Sequence, residues 1–447
     1  MHLVIIGNGI AGISCALTAR RLRPDARISI VSSESRYHYS RPALMYLYLG
    51  QLRPADVQPY AEWFWRENRL ELVFDTATRL DTAARLVQLA AGPALPYDQL
   101  LLATGSRSRF FAWPGQQLAG VQGFYGLPDL ARMEQNTRGI ERAVVVGGGL
   151  IGVELAEMLR SRGVAVTLLV RDAHYWASVL PAPEARLIDQ QLGRHGVEVR
   201  YGTELAEILG DGQGRVRAVR SGAGEEIPCQ WVGLATGVQP NLALVADSAV
   251  ETDQGILVDE LLQTSVPGVY AAGDCAQLRR PGFGEAAVEQ LWYTGRMQGE
   301  TVAHSLCGQP TPYRRGPWFN SAKFFDLEYQ TYGRVPAHPA PDLASFYWQH
   351  PRREQALRLS FEAAAPHALR GLHSLGLRLR QAVCEQWLRE AVPVAQVVAQ
   401  LAAADFSPEF SPLPAADVGR AFAAQFPQFI LPSPARHTGL LARWLGR

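Results

Sequence analysis

The same local pattern occurs twice in this chain, 140 residues apart, and it limits the available folds more than any other feature. In each copy a strand-like apolar run enters a turn with glycines at its first, third and sixth positions, and an apolar helical run follows. The first copy is Leu3–Ile6 running into Gly7-Asn8-Gly9-Ile10-Ala11-Gly12, then a helix to about Arg23 and a strand at Ile28–Val31. The second is Ala143–Val146 running into Gly147-Gly148-Gly149-Leu150-Ile151-Gly152, then a helix through Arg162 and a strand at Val164–Val170. Strand–turn–helix–strand units of this kind close only as right-handed crossovers in a parallel sheet, so two doubly wound α/β domains are predicted. Each has a further strand ending in the same tripeptide. Tyr97–Leu102 runs into Ala103-Thr104-Gly105, and Trp231–Leu234 into Ala235-Thr236-Gly237. A strand at Gly268–Ala272 ends at Gly273-Asp274, and a helix is expected from about Glu289 to Leu306. From about Thr311 the pattern changes to an aromatic strand, Trp318–Phe325, and Ala-, Leu- and Pro-rich helices. This part reads as a third, α+β domain.

The glycines have separate tasks. Gly7 and Gly147 make the tight turn, Gly9 and Gly149 let backbone approach a pyrophosphate, and Gly12 and Gly152 let helix and strand pack closely. The free N–H groups of Ile10 and Ala11, and of Leu150 and Ile151, then face an anion at a helix N-terminus. Glu34 lies 22 residues past Gly12, at the end of the second strand, where a carboxylate accepts hydrogen bonds from an adenosine ribose. The second unit has Arg171 and Asp172 at that place. Arg171 reads either as a partner for a 2′-phosphate, which favours NADPH, or as a solvated arginine; Asp172 leaves NADH open.

The remaining composition narrows the function. At 447 residues about three domains are expected. Apolar residues at 47 % and charged residues at 19 % describe a globular protein with large cores. A net charge of +1 gives no drive toward nucleic acid or an anionic membrane. Neither a signal peptide nor a bilayer-spanning run is read, and the five cysteines, Cys15, Cys229, Cys275, Cys307 and Cys384, have no paired spacing. A reducing, cytoplasmic setting is expected, without disulfide, zinc ribbon or cysteine-held cluster. The ten histidines show no metal spacing, so no metal site is expected.

Taken in order, the first glycine fingerprint, both Ala-Thr-Gly turns, Val238-Gln239-Pro240-Asn241 and Tyr270-Ala271-Ala272-Gly273-Asp274 resemble the two-dinucleotide-domain flavoproteins. That family includes ferredoxin and rubredoxin reductases, NADH oxidases and the flavin domain of NAD(P)H nitrite reductases. The resemblance spans about residues 1–310. It implies FAD in a domain of residues 1–114 and 245–312, NAD(P)H in an inserted domain of 115–244, and an interface-like α+β domain at 313–447. It further implies that Asp274, after Gly273, holds the ribityl chain. Ala77, Ala103, Thr104 and Gly105 join the flavin cofactor's contacts, with Thr104 and Gly105 against its adenine half. Gln290, Trp292 and Tyr293 would lie near the isoalloxazine edge, Gly237 in the second Ala-Thr-Gly turn would be among the cofactor-binding residues, and Glu154 would face the nicotinamide pocket. Ser40-Arg41-Pro42-Ala43-Leu44 is similar to the Arg-Pro-x-Leu segment that ferredoxin reductases place beside the flavin, although Met45 and Tyr46 stand where those often have Ser and Lys. No cysteine lies between Cys15 and Cys229, so a thiolate relay beside the flavin is not expected.

Lys323 is the single lysine in an arginine-rich chain. Strand alternation puts Phe319, Ser321, Lys323 and Phe325 on one face, and the Trp-Phe-x-Ser stretch here resembles one that ferredoxin reductases run past the flavin. Lys323 is therefore a candidate for a role near flavin or acceptor, with chance retention the plain alternative. The activity implied is hydride transfer from NAD(P)H to flavin and onward passage of electrons to a small redox protein or small molecule. A homodimer is left open. Two rivals stand beside it: a quinone-reducing dehydrogenase docking through the tail Leu440-Leu441-Ala442-Arg443-Trp444-Leu445, and a flavoprotein sensor with little turnover.

Overall fold

The computed structural model describes residues 1–282 and 285–432; the tail at 440–445 lies outside them. Strand His2–Ile6 is buried along nearly its whole length, as its unbroken run of apolar residues requires for a strand covered on both faces. It is the middle of a five-stranded sheet in the order Val269–Ala271, Gln99–Leu102, His2–Ile6, Arg27–Ser32, Leu70–Phe74. Every pair is parallel, with Leu3 opposite Ile28 on one side and Gln99 on the other. Strand Arg142–Val146 centres a second parallel sheet in the order Val197–Tyr201, Ala165–Val170, Arg142–Val146, Trp231–Leu234, Val121–Gln122. In each sheet the strand after the glycine turn's helix lies on one side of the central strand, and the strand ending in Ala-Thr-Gly lies on the other. The repeat read in the sequence is thus a repeat of topology, and the doubly wound α/β class holds.

Two short antiparallel strands join these sheets. Ser106–Ser108 leaves the first Ala-Thr-Gly turn and pairs with Val238–Pro240, which follows the second. The turns are tied directly as well: Thr104 donates to the Asn241 carbonyl at 2.8 Å, Asn241 N–H to the Gly105 carbonyl at 2.9 Å, and Arg109 N–H to the Gly237 carbonyl at 3.0 Å.

Both parallel sheets belong to one compact unit, Met1–Tyr175 with Leu192–Arg315. The second unit comprises Trp176–Gln191 and everything from Gly316. It contains an antiparallel sheet in the order Phe319–Phe324, Leu327–Gly333, Leu369–Leu375, Ala356–Glu362, Leu343–Gln349, with helices Gln381–Arg389, Val394–Ala399 and Ala415–Gln425. The segment 176–191, assigned from sequence to the inserted part, groups here through specific contacts. Trp176 packs edge-on to Tyr329, with ring centres 5.2 Å apart. Glu184, fully buried, accepts from Arg358 Nη2 at 3.0 Å and lies 2.8 Å from His373 Nε2. Burial alone would raise the Glu184 carboxyl, but the hydrogen bonds from His373 and Arg358, with the Arg358 charge, hold it below its usual value.

Candidate functional site

The two glycine turns repeat one construction. Gly7 has φ +111°, and a Cβ there would collide with the Ala103 carbonyl oxygen; Gly147 has φ +126° and meets the Ala235 carbonyl oxygen in the same way. Each turn is thus pressed against the Ala of its own Ala-Thr-Gly. A Cβ on Gly12 would strike the Gly7 carbonyl, and one on Gly152 the Gly147 carbonyl, so each helix sits hard on its turn. At Gly9 and Gly149, by contrast, nothing lies within 4 Å of an added Cβ. Gly9 and Gly149 are N-caps of helices Ile10–Leu22 and Leu150–Ser161, and neither helix has a side-chain cap. The first N–H groups, at Ile10, Ala11, Leu150 and Ile151, therefore open on space suited to an anion.

Beside the first turn, Glu34 and Arg41 form an ion pair at 2.8 Å. The Glu34 carboxylate also accepts from the Tyr39 hydroxyl and, at 2.9 Å, from Leu127 N–H. Burial works against its charge, but Arg41 and these hydrogen bonds outweigh it and lower the pKa. Burial likewise disfavours the Arg41 cation, and its partners Tyr39 and Glu34 more than compensate, so it stays firmly protonated. Pro42 is exposed in the short 3-10 turn Arg41–Ala43. Arg41 also donates to the Tyr125 carbonyl at 2.8 Å and lies over the Tyr125 ring, 4.4 Å from its centre.

Tyr125 links this pair to Asp274. Its hydroxyl donates to Asp274 Oδ2 at 3.2 Å and accepts the Ser106 N–H at 2.9 Å. Burial raises the Asp274 carboxyl above its ordinary value, against hydrogen bonds from Ser106 and Tyr125. Gly105, at φ +68°, leaves room for the Tyr125 hydroxyl, 2.9 Å from where a Cβ would stand. Gln290 Nε2 reaches Ser106 Oγ at 2.7 Å. Gly273, before Asp274, donates its N–H to Gln298 Oε1 at 2.8 Å. The helix expected from Glu289 begins at Trp292, because Leu291 is extended and Glu289 turns aside to pair with Arg315. Trp292 and Tyr293 open it edge to face at 5.3 Å. Its Gly299 fits against the Ala11 carbonyl, and Gly295 against Ile10. Ala77 starts a strand, Ala77–Asp81, packed against the first core.

Arg41, Gly105 and Asp274, identified separately in the sequence, thus converge on one residue that was not, and Glu34 reaches it through Arg41. Tyr125 stands in the loop between strand Val121–Gln122 and helix Leu127–Asn136. It belongs to no glycine fingerprint and follows no spacing rule, so only the tertiary structure identifies it.

At the second turn the Tyr175 hydroxyl donates to the Gly149 carbonyl at 2.6 Å. Burial, then the charge of Glu154, pushes the Tyr175 phenol far up. Glu154 is half-buried in the helix after the turn. Arg171 follows strand Ala165–Val170 with its side chain 77 % exposed and Asp172 at 3.8 Å. Gly237 adopts φ +100° in the second Ala-Thr-Gly turn.

Lys323 lies in the other unit, on Phe319–Phe324 opposite Glu328. The expected four-residue face is shortened: Phe325 has φ +55° and occupies the hairpin turn, so alternation stops at Phe324. All five cysteines are buried and unpaired, and burial raises their thiols, those of Cys229 and Cys384 to about 12.

Residues 1–299 match the family described as pyridine nucleotide-disulphide oxidoreductase. A rubredoxin-NAD(+) reductase of Ectopseudomonas oleovorans is 29 % identical over 321 residues, spanning 71 % of this chain and 83 % of that one. A rhodocoxin reductase of Rhodococcus erythropolis is 31 % identical over 333 residues, 72 % of this chain and 76 % of that one. Among solved structures, a ferredoxin reductase from Rhodopseudomonas palustris aligns with a TM-score of 0.76 and 28 % identity over 84 % of this chain and 91 % of that one.

Proposed function

Since the chain belongs to the pyridine nucleotide-disulphide oxidoreductase family, we propose that it is a reductase serving a small electron-carrier protein of the rubredoxin or ferredoxin kind. It is an oxidoreductase that uses FAD and NAD(P)H. Among the described residues, no helix is long and apolar enough to cross a membrane. The reading of the acceptor rests on one observation: three proteins aligned over more than two thirds of this chain are named as reductases of rubredoxin, rhodocoxin and ferredoxin.

The residues fit two dinucleotides. Residues 1–114 and 245–312 would form the flavin side, with the open face of Gly9 and the amides of Ile10 and Ala11 toward a diphosphate. Glu34, held by Arg41 and Tyr39, would orient a ribose, and Asp274 the ribityl hydroxyls. Ser106 and Gln290 keep the Asp274 side of this cradle in place. Residues 115–244, less the stretch 176–191 that groups with the second unit, would form the nicotinamide side, with Gly149, Leu150 and Ile151 at the diphosphate and Arg171 at the 2′ position. FAD, when bound, supplies the conversion of a two-electron hydride donor into single electrons for a carrier. No protein thiol takes part in this reading: residues 40–46 contain no cysteine, and the buried, high-pKa thiols are poor nucleophiles.

The test is an anaerobic acceptor screen. Purified protein should be yellow, bleach on NAD(P)H addition and reoxidise fastest with rubredoxin or ferredoxin. Fastest reoxidation by a quinone, or slow bleaching to a stable charge-transfer complex, would replace the carrier reading.

A further inference from the structure

Asn8, between the first two glycines of the first turn, is held at both its side chain and its main chain. Its Nδ2 donates to the Ser35 carbonyl at 2.8 Å, and its own carbonyl lies 2.7 Å from Nδ1 of His38. Both residues are buried, His38 at 4 % exposure. A carbonyl oxygen only accepts, so Nδ1 of His38 carries the hydrogen. Burial lowers the imidazole pKa from 6.5, the bond to Asn8 opposes this and the Arg41 charge reinforces it, so the charged ring is disfavoured.

The direction of that bond matters. The Asn8–Gly9 peptide is planar and trans, so a carbonyl drawn toward His38 turns the Gly9 N–H the opposite way. Gly9 is the N-cap that opens onto free space, and its carbonyl already accepts Ile13 N–H at 3.0 Å. The loop that supplies Ser35 and His38 also carries Glu34 and Arg41, so one segment fixes both the turn and the acid beside it.

We propose that His38 is a positioning residue of the flavin-side cradle: its Nδ1–H fixes the Asn8–Gly9 peptide so that the amides of Gly9, Ile10 and Ala11 are presented to the FAD diphosphate. This rests on the reading of that turn as the FAD site. His38→Phe keeps a ring and removes the donor, whereas His38→Asn restores a donor near the place of Nδ1. FAD affinity is measured by flavin fluorescence on the deflavinated proteins, and the imidazole 15N resonances are recorded on the wild-type holoprotein. His38→Phe should bind FAD about tenfold more weakly, and His38→Asn within about threefold of wild type. NADPH affinity should stay unchanged in both, because its cradle is the second turn. The 15N spectrum should show Nδ1 protonated and Nε2 bare. Equal FAD affinity of wild type and His38→Phe, an equal loss in both variants, or the proton on Nε2 would each overturn the proposal. If His38→Phe fails to fold, the asparagine variant and the tautomer decide. A wild-type chain that takes up no FAD removes the functional reading together with the proposal, an outcome distinct from variants that match a wild type able to bind it.

Discussion

The Tyr125 hydroxyl donates to Asp274 across 3.2 Å, although the two residues are 149 positions apart in sequence. The same hydroxyl accepts the Ser106 N–H, and the Tyr125 ring carries Arg41 on its face. Tyr125→Phe keeps the ring and the Arg41 contact but leaves Asp274 one donor short. FAD affinity should fall about tenfold, within the range for a lost hydrogen bond to a charged group. Fluorescence titration checks this, and unchanged affinity would separate Tyr125 from the cradle.

Glu34 and Asp274 should give the flavin-free protein opposite responses to pH. Glu34 has a folded pKa below its ordinary 4.5. The stability it adds is present above that value and is lost as pH falls through the lower, folded one. Asp274 has a folded pKa above its ordinary 3.8. The folded state holds that proton more tightly, so stability declines as pH rises through the raised value. Glu34→Gln should flatten the acid limb of a urea-midpoint series, and Asp274→Asn should remove the decline and exceed wild type above it. The same sign for both variants would contradict the assignment.

Arg171 follows its strand with a side chain 77 % exposed and Asp172 at 3.8 Å. A guanidinium–phosphate contact there should favour NADPH by about tenfold in kcat/KM, and Arg171→Glu should reverse the preference. An unchanged cofactor ratio would reduce Arg171 to a surface charge.

Lys323→Arg preserves charge but not shape or proton affinity. A role in turnover predicts about a tenfold drop in flavin reduction or reoxidation, roughly 1.4 kcal/mol of barrier. Stopped-flow traces matching wild type in both phases, with thermal stability unchanged, would assign the lysine no part in turnover.

The parallel sheets were legible because their signals are local. Trp231–Leu234 is a strand at the residues read from sequence, and Gly268–Ala272 loses only its end residues, the positive-φ Gly268 and Ala272. The glycines carry steric demands that any chain must meet in the same way, so the turns could be placed by inspection. Tyr125 and His38 could not, since their partners lie far along the chain and such hydrogen bonds leave no periodic mark. Glu184 left no readable signal for a related reason: Arg358 and His373, which make its burial in helix Ala182–Arg194 tolerable, lie far along the chain.

The strand pair Ser106–Ser108 and Val238–Pro240 means that the chain leaves the first sheet and returns to it side by side. The inserted half therefore enters and leaves at one doorway, yet Tyr125, carried on it, reaches Asp274, and its stretch 176–191 groups with the second unit. Recombination at that doorway would therefore exchange more than an electron-donor side: the incoming unit must bring a counterpart of Tyr125, or Asp274 loses the hydroxyl that joins it to Arg41.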